Sequence, residues 1–150
     1  MRWRAKTDLA KSTKSLMFVV GYVQRLLRFE VRHEKIGWTA LMVLKDLDFL
    51  GPSSQRMLAE IEQVRAPTMT VLINQMEREG WVQRRPDPDD ARSYRVTLTT
   101  RGTKQLRETG HVLQIRLETE LGTLAIGDTG TLATSLAEMA KAFGRSASSR

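Results

Sequence analysis

Apolar residues recur at helical spacing from about Lys6 to Glu34. Leu9, Leu16, Val20, Val23 and Leu27 fall seven, four, three and four residues apart, and Val19 and Leu26 widen the stripe. At 1.5 Å per residue such a helix is roughly 40 Å long. A small domain cannot cover that length, so part of it is expected to pack against another chain. Ile36-Gly37 breaks the pattern. A second helix over Trp38–Leu50 would turn Leu41, Leu44, Leu47 and Phe49/Leu50 inward. Gly51-Pro52-Ser53-Ser54 is a stop followed by a restart, with Ser53 or Ser54 able to cap the next helix.

Gln55–Ile61 is a short third helix. A turn around Gln63-Val64 leads to Pro67, which suits the first turn of a fourth helix because its missing N–H is not needed there. That helix runs to about Glu79. Met69, Leu72, Ile73 and Met76 form its inner face, and Gly80 is its stop. Two short helices joined by a tight turn make a helix-turn-helix, the second being the recognition helix. Trp81–Arg85 and Tyr94–Thr99 then read as two strands. In the second, Tyr94, Val96 and Leu98 alternate with Arg95, Thr97 and Thr99. The loop between them holds Pro86 and Pro88 and is too long and stiff for a tight turn, so its tip projects.

Thr99 or Thr100 caps a fifth helix reaching Leu121, with Leu106, Leu113, Leu117 and Leu121 apolar and Val112 and Ile115 beside them. Gly127-Asp128 separates a sixth, in which Leu132, Leu136, Met139 and Phe143 recur at four, three and four. The fold expected is mainly α with a small β-hairpin wing: a winged helix-turn-helix of six helices. Residues 38–99 would form the winged helix, and residues 6–34 and 100–144 the long flanking helices. The small, polar segment 145–150 is expected to be disordered.

The 150 residues bound this to one domain with a real core. No apolar run exceeds five residues, which predicts a cytoplasmic chain with no membrane span. The lack of cysteine excludes disulfides, thiolate metal sites and cysteine redox sensing. The net charge of +7 points toward a polyanion, but it is unevenly placed. Residues 1–50 carry +5, residues 51–100 carry 0 and residues 101–150 carry +2. The leader Met1–Lys14, with Arg2, Arg4, Lys6, Lys11 and Lys14 against Asp8, reads as a mobile terminus or a basic arm. Within the neutral segment, Arg84, Arg85, Arg92 and Arg95 crowd into twelve residues; a solvated hairpin is the other reading of that cluster.

The residues resemble the MarR family of bacterial transcription regulators over essentially the whole chain. The most specific parts are Leu58-Ala59-Glu60 and Pro67-Thr68-Met69-Thr70. The match continues through Glu77-Arg78-Glu79-Gly80-Trp81-Val82, Arg84-Arg85, Asp90-Ala91-Arg92 and Leu98-Thr99-Thr100-Arg101-Gly102. The resemblance implies a homodimer whose base is formed by the N- and C-terminal helices. It also implies double-stranded DNA with an inverted repeat as partner, read by two recognition helices about one helical turn apart.

On that reading, Thr68, Thr70 and the helix N-terminus bond phosphates or base edges, and Asn74 and Gln75 have the paired groups suited to adenine. Arg92 matches the family's wing-tip arginine, which enters the minor groove, and Asp90 the acid that orients it. Arg84, Arg85 and Arg95 would clamp phosphates. The sequence departs from the family pattern at several points. Ala66 stands where arginine precedes the proline, with Arg65 one step earlier. Val71 replaces an arginine, Asn74 and Gln75 stand where Asp and Arg are common, and Gln63 replaces the turn glycine. The recognition helix has therefore lost most of its expected cations.

The function implied is a sequence-specific transcription regulator, a repressor released by a small aromatic or anionic effector. Phe18, Tyr22, Trp38, Met42 and His111 would line the effector crevice. The neutral segment leaves open a winged-helix dimer that acts as a protein-interaction or ligand-binding module with weakened DNA binding. An enzyme is not expected, and no cofactor or metal is implied. His33 and His111 are the only histidines and lie far apart in sequence. Asp87, Asp89 and Asp90 lack the glycine and distal glutamate of a calcium loop.

Overall fold

A computed structural model describes the chain except residues 1, 33, 91, 124–128 and 148–150, and the side chains of 2–9, 129, 140 and 142–147. His33, the Gly127-Asp128 break and the side chain of Phe143 therefore lie outside the described residues. The elements run α1 (Arg2–Val31), α2 (Trp38–Leu50), β1 (Ser53–Ser54), α3 (Gln55–Ile61), α4 (Ala66–Arg78), β2 (Val82–Pro86), β3 (Tyr94–Leu98), α5 (Thr100–Gly122) and α6 (Thr129–Ala147). The chain forms two compact units, residues 1–114 and 115–150.

Several boundaries differ from expectation. The leader is not a loose arm in its backbone, because α1 already begins at Arg2. Residues 145–147, expected to be disordered, continue α6. A strand absent from the sequence reading, Ser53–Ser54, pairs with β3, so the sheet has three antiparallel strands in the order β1-β3-β2. Two residues carry no periodicity of their own; only the distant partner makes them a strand. In the β2–β3 ladder Val82 faces Leu98, Arg84 faces Val96 and Arg85 faces Arg95.

The core of the first unit gathers Leu41, Val43, Leu44 and Leu47 of α2 with Leu58 of α3 and Met69, Ile73 and Met76 of α4. Trp81, Val82 and Val96 close it from the sheet side. Complete burial of such side chains stabilises by about 1.5–3 kcal/mol each. Phe49 and Leu50 were expected inside, but they are 74% and 40% exposed. Phe49, two positions past the buried Leu47, is turned about 200° away from it at 100° per residue, and Leu50 is the last residue of the helix, where Gly51 ends it. On α1 the surface is mostly uncovered in the single chain: Met17, Phe18, Val19, Val20, Tyr22 and Phe29 are all at least 49% exposed. In the second unit, Arg116 pairs with Glu120 at 2.8 Å along α5, and Leu136 and Met139 of α6 are exposed.

Three helix ends explain the order of the middle elements. Ser54 caps α3, its hydroxyl accepting from the Met57 N–H at 3.1 Å. The end of α3 and the end of α4 are the same motif. Val64 N–H reaches Ala59 O and Gln63 N–H reaches Glu60 O. Likewise Trp81 N–H reaches Met76 O and Gly80 N–H reaches Glu77 O. Each needs a left-handed residue. Gly80 takes φ 73° freely, whereas Gln63 takes φ 53° with a full side chain, a strain of order 1 kcal/mol. Thr99 begins α5 as its cap, accepting from Gly102 N–H at 3.0 Å. Its hydroxyl hydrogen is shared between Gly80 O and Trp81 O. At Gly102 a Cβ would stand 2.0 Å from Trp81 O, so glycine is required for α5 to close on the root of the hairpin.

Candidate nucleic-acid interface

Burial of Met69, Ile73 and Met76 fixes how α4 is rotated, and turns Thr68, Thr70, Val71, Asn74 and Gln75 to solvent. No side chain caps its N-terminus. Arg65 occupies the cap position with its own side chain exposed, and Pro67 lies in the first turn. The first-turn N–H groups of α4 are thus open toward an anion. Val71 is 65% exposed at the middle of this face.

The polar groups next along the helix are not all open. Arg84 of β2 lies behind them. Its guanidinium bonds the Glu77 carboxylate, donates to Asn74 Oδ1 at 2.7 Å and to Gln55 Oε1 at 3.3 Å. Its backbone N–H reaches Glu77 Oε1 at 3.1 Å. Gln55 passes the bonding on, donating through Nε2 to Thr70 Oγ1 at 2.5 Å, and Thr70 donates to Ala66 O at 2.9 Å. Arg84, expected to clamp a phosphate, here braces α3, α4 and β2 together. The Thr70 hydroxyl hydrogen is committed to the helix backbone. Glu77 and Gln55, which organise this cluster, were not among the sequence-derived site residues. Their only signal was position, one at the motif before Gly80 and the other directly after the Ser54 cap.

The hairpin loop is held by its own acids. Asp87 N–H bonds Ser93 O at 3.0 Å and closes the loop. Asp87 also accepts from Asp89 N–H and from Arg95 Nε at 2.8 Å, and Asp89 accepts from Arg95 Nη2 at 2.7 Å. The hydrogen bond from Arg95, above all, holds the Asp87 carboxyl below its ordinary value, and the same bond raises Arg95. Arg95, expected to clamp a phosphate, here braces the loop, and its two acids also screen it from the facing Arg85. Arg85 is exposed, and the Gln83 amide, once turned so that its oxygen faces the guanidinium, accepts from Arg85 Nη2 at 2.9 Å. At the tip, Asp90 does not hold the Arg92 guanidinium. Its carboxylate accepts from the Arg92 backbone N–H at 2.9 Å, and its carbonyl from Ser93. The acid shapes the turn, and the exposed Arg92 side chain has no acid or acceptor among the described residues.

Behind the helix-turn-helix, Asp46 of α2 shares a hydrogen bond with Glu62, the residue that ends α3. Partial burial, the nearby Asp46 charge and that hydrogen bond raise Glu62 to about 7, with Arg28 opposing; burial also raises Asp46. Asp46 Oδ2 is enclosed and has no hydrogen-bond partner among the described residues.

The residues expected around an effector fall apart within one chain. Phe18 and Tyr22 line an open cleft of about 280 Å³ on α1 with Met17 and Arg25. Trp38 lines another, of about 250 Å³, with Leu72, Gln75, Met76 and Trp81. Met42 packs half-buried on the core, and His111 is exposed on α5.

The description "MarR family" belongs to the family model that matches residues 36–94. The uncharacterized HTH-type transcriptional regulator Mb0904 of Mycobacterium bovis is 30% identical over 115 residues, 77% of this chain and 80% of that protein. The chain belongs to the MarR family. The uncharacterized HTH-type transcriptional regulator YwoH of Bacillus subtilis is 36% identical over 84 residues, 56% of this chain; that match spans 58% of YwoH. The transcriptional regulator Tm0710 of Thermotoga maritima shares the fold with a TM-score of 0.72 at 22% identity, covering 93% of this chain and 98% of that one. So does the S. aureus MepR F27L mutant bound to an oligodeoxyribonucleotide, with a TM-score of 0.61 at 18% identity, covering 88% and 97%. MarR proteins are non-enzymatic, DNA-binding transcription regulators that act as dimers. No described helix of this member is long and apolar enough to cross a membrane.

Proposed function

We propose that this MarR protein binds an inverted-repeat operator as a homodimer and represses transcription until a small aromatic or anionic effector releases it. The observation that carries the DNA reading is the pair of open elements on one winged helix: the uncapped start of α4 with Arg65 and Thr68, and the wing tip with an uncommitted Arg92. The first suits phosphate and base edges, the second the focused negative potential of a minor groove. Gln75 and Val71 add an amide and an apolar contact of the kind that reads a thymine methyl. Dimerisation is supported by the exposed apolar face of α1. Release by an effector is supported by the Trp38 cleft, which shares Gln75 with the outward side of the recognition helix.

Titration of the purified protein against the DNA upstream of its own coding sequence, across salt concentrations, tests the reading. A finite but shallow slope of log affinity on log salt is expected, because several arginines are tied to acids of the protein. A flat dependence removes the DNA reading. A slope with no preference for the upstream DNA over unrelated DNA favours the interaction-module alternative, which the internal commitment of Arg84 and Arg95 also supports.

A further inference from the structure

Arg84 does more than join the wing to the helix; it decides which half of the Asn74 amide faces outward. A guanidinium has only donors, so the group that meets it at 2.7 Å must be the Asn74 carbonyl oxygen. The Glu77 carboxylate, bonded to the other side of the same guanidinium, keeps Arg84 in place. The NH₂ of Asn74 is left on the exposed face of α4, beside a shallow concavity lined by Val71, Asn74, Glu77 and Arg78. An asparagine that reads adenine must accept from N6 through its oxygen while donating to N7. Here Arg84 takes one of the two acceptor positions of that oxygen and holds it turned toward β2, so the amide does not present its oxygen and its NH₂ together to a base edge.

We propose that Arg84 is a positioning residue for sequence reading: it makes Asn74 a donor-only reader, matched to a keto base, guanine or thymine, and mismatched to adenine. The inference rests on the DNA-binding reading above and reverses the adenine contact expected from residue type alone. Guanine O6 and thymine O4 accept from the free NH₂. Adenine N6 presents a second donor to a donor and is disfavoured.

The test starts from selection of binding sequences out of a random duplex pool by the wild-type dimer and by Asn74→Ala. The half-site position whose preference disappears in Asn74→Ala is the one Asn74 reads. Base analogues are then placed there. Deleting the keto oxygen (2-aminopurine for guanine, 5-methyl-2-pyrimidinone for thymine) is expected to weaken wild-type binding about tenfold and to leave Asn74→Ala unchanged. Where the base read is thymine, replacing its adenine partner by purine, which lacks the 6-amino group, is expected to change nothing. Arg84→Met frees the Asn74 oxygen and is expected to make binding sensitive to the adenine 6-amino group. Loss of wild-type affinity on deleting the adenine 6-amino group overturns the inference alone, as does an Asn74→Ala selection identical to wild type. A wild-type selection that enriches no sequence overturns the proposed function beneath it.

Discussion

The recognition helix and the wing carry similar polar side chains and put them to opposite use. On α4, Thr70 and Asn74 are held from behind by Gln55 and Arg84, so the helix presents a fixed, partly consumed set of groups. On the wing, Asp87 and Asp89 immobilise Arg95, while Arg92 stands beyond their reach at the tip. A cation counted in a sequence is thus free of internal partners only where no carboxylate lies within reach. The neutral charge of residues 51–100 is resolved in the same way: its acids are paired selectively, Glu77 with Arg84 and Asp87 and Asp89 with Arg95.

The largest effect tests what the two regions share. Both meet at Trp81, three residues past the end of α4 and at the root of the hairpin, whose carbonyl lies against Gly102. Gly102→Ala is expected to cost roughly 2–4 kcal/mol of stability, because a backbone carbonyl cannot step aside as a side-chain tip can. Chemical denaturation measures this, and an unaltered midpoint would show that the closure on α5 is looser than described. Next comes the contrast within the wing. Arg92→Ala is expected to lower DNA affinity by about 1–3 kcal/mol with no change in melting temperature. Arg95→Ala is expected to lower the melting temperature first and affinity only through a looser loop. Equal affinity losses at unchanged stability would erase the distinction between free and committed arginines.

The smallest effect concerns how the helix side is anchored. The Glu62 carboxyl is raised from an ordinary 4.5 to about 7 in the folded chain. The folded state therefore binds its proton more tightly than the unfolded chain does. The stabilisation is full below pH 4.5, fades as pH rises through about 7 and is gone above it. The exposure of the site limits it to about 1 kcal/mol. Thermal melts from pH 5 to 8 are expected to show a decline that Glu62→Gln flattens. A decline of equal size in Glu62→Gln would assign it to other groups.

Much of the architecture was legible because it follows from local chemistry. α2 and α3 were placed to the residue by periodicity, by Gly51-Pro52 and by the Ser54 cap. The Gly80 stop and the Thr99 cap were read from residue type and position. The candidate site was legible as a list and not as a set of roles. Arg65, Thr68, Gln75, Arg85 and Arg92 are exposed, as their proposed contacts require. Arg84, Thr70 and Arg95 could not be sorted from them, because their partners Glu77, Gln55 and Asp87 lie seven to fifteen residues away.

The sequence by itself determined the order of helices and strands, the turns that separate them and the family pattern, since spacing, capping and left-handed turn residues act over a few positions. Only the tertiary structure decided that Ser53–Ser54 is a strand, that Phe49 faces outward and that Asp46 and Glu62 lie side by side. It also decided which arginines remain open. These depend on distances between elements remote in the chain, and a hydrogen bond or ion pair exists only where folding brings a donor and an acceptor to about 3 Å.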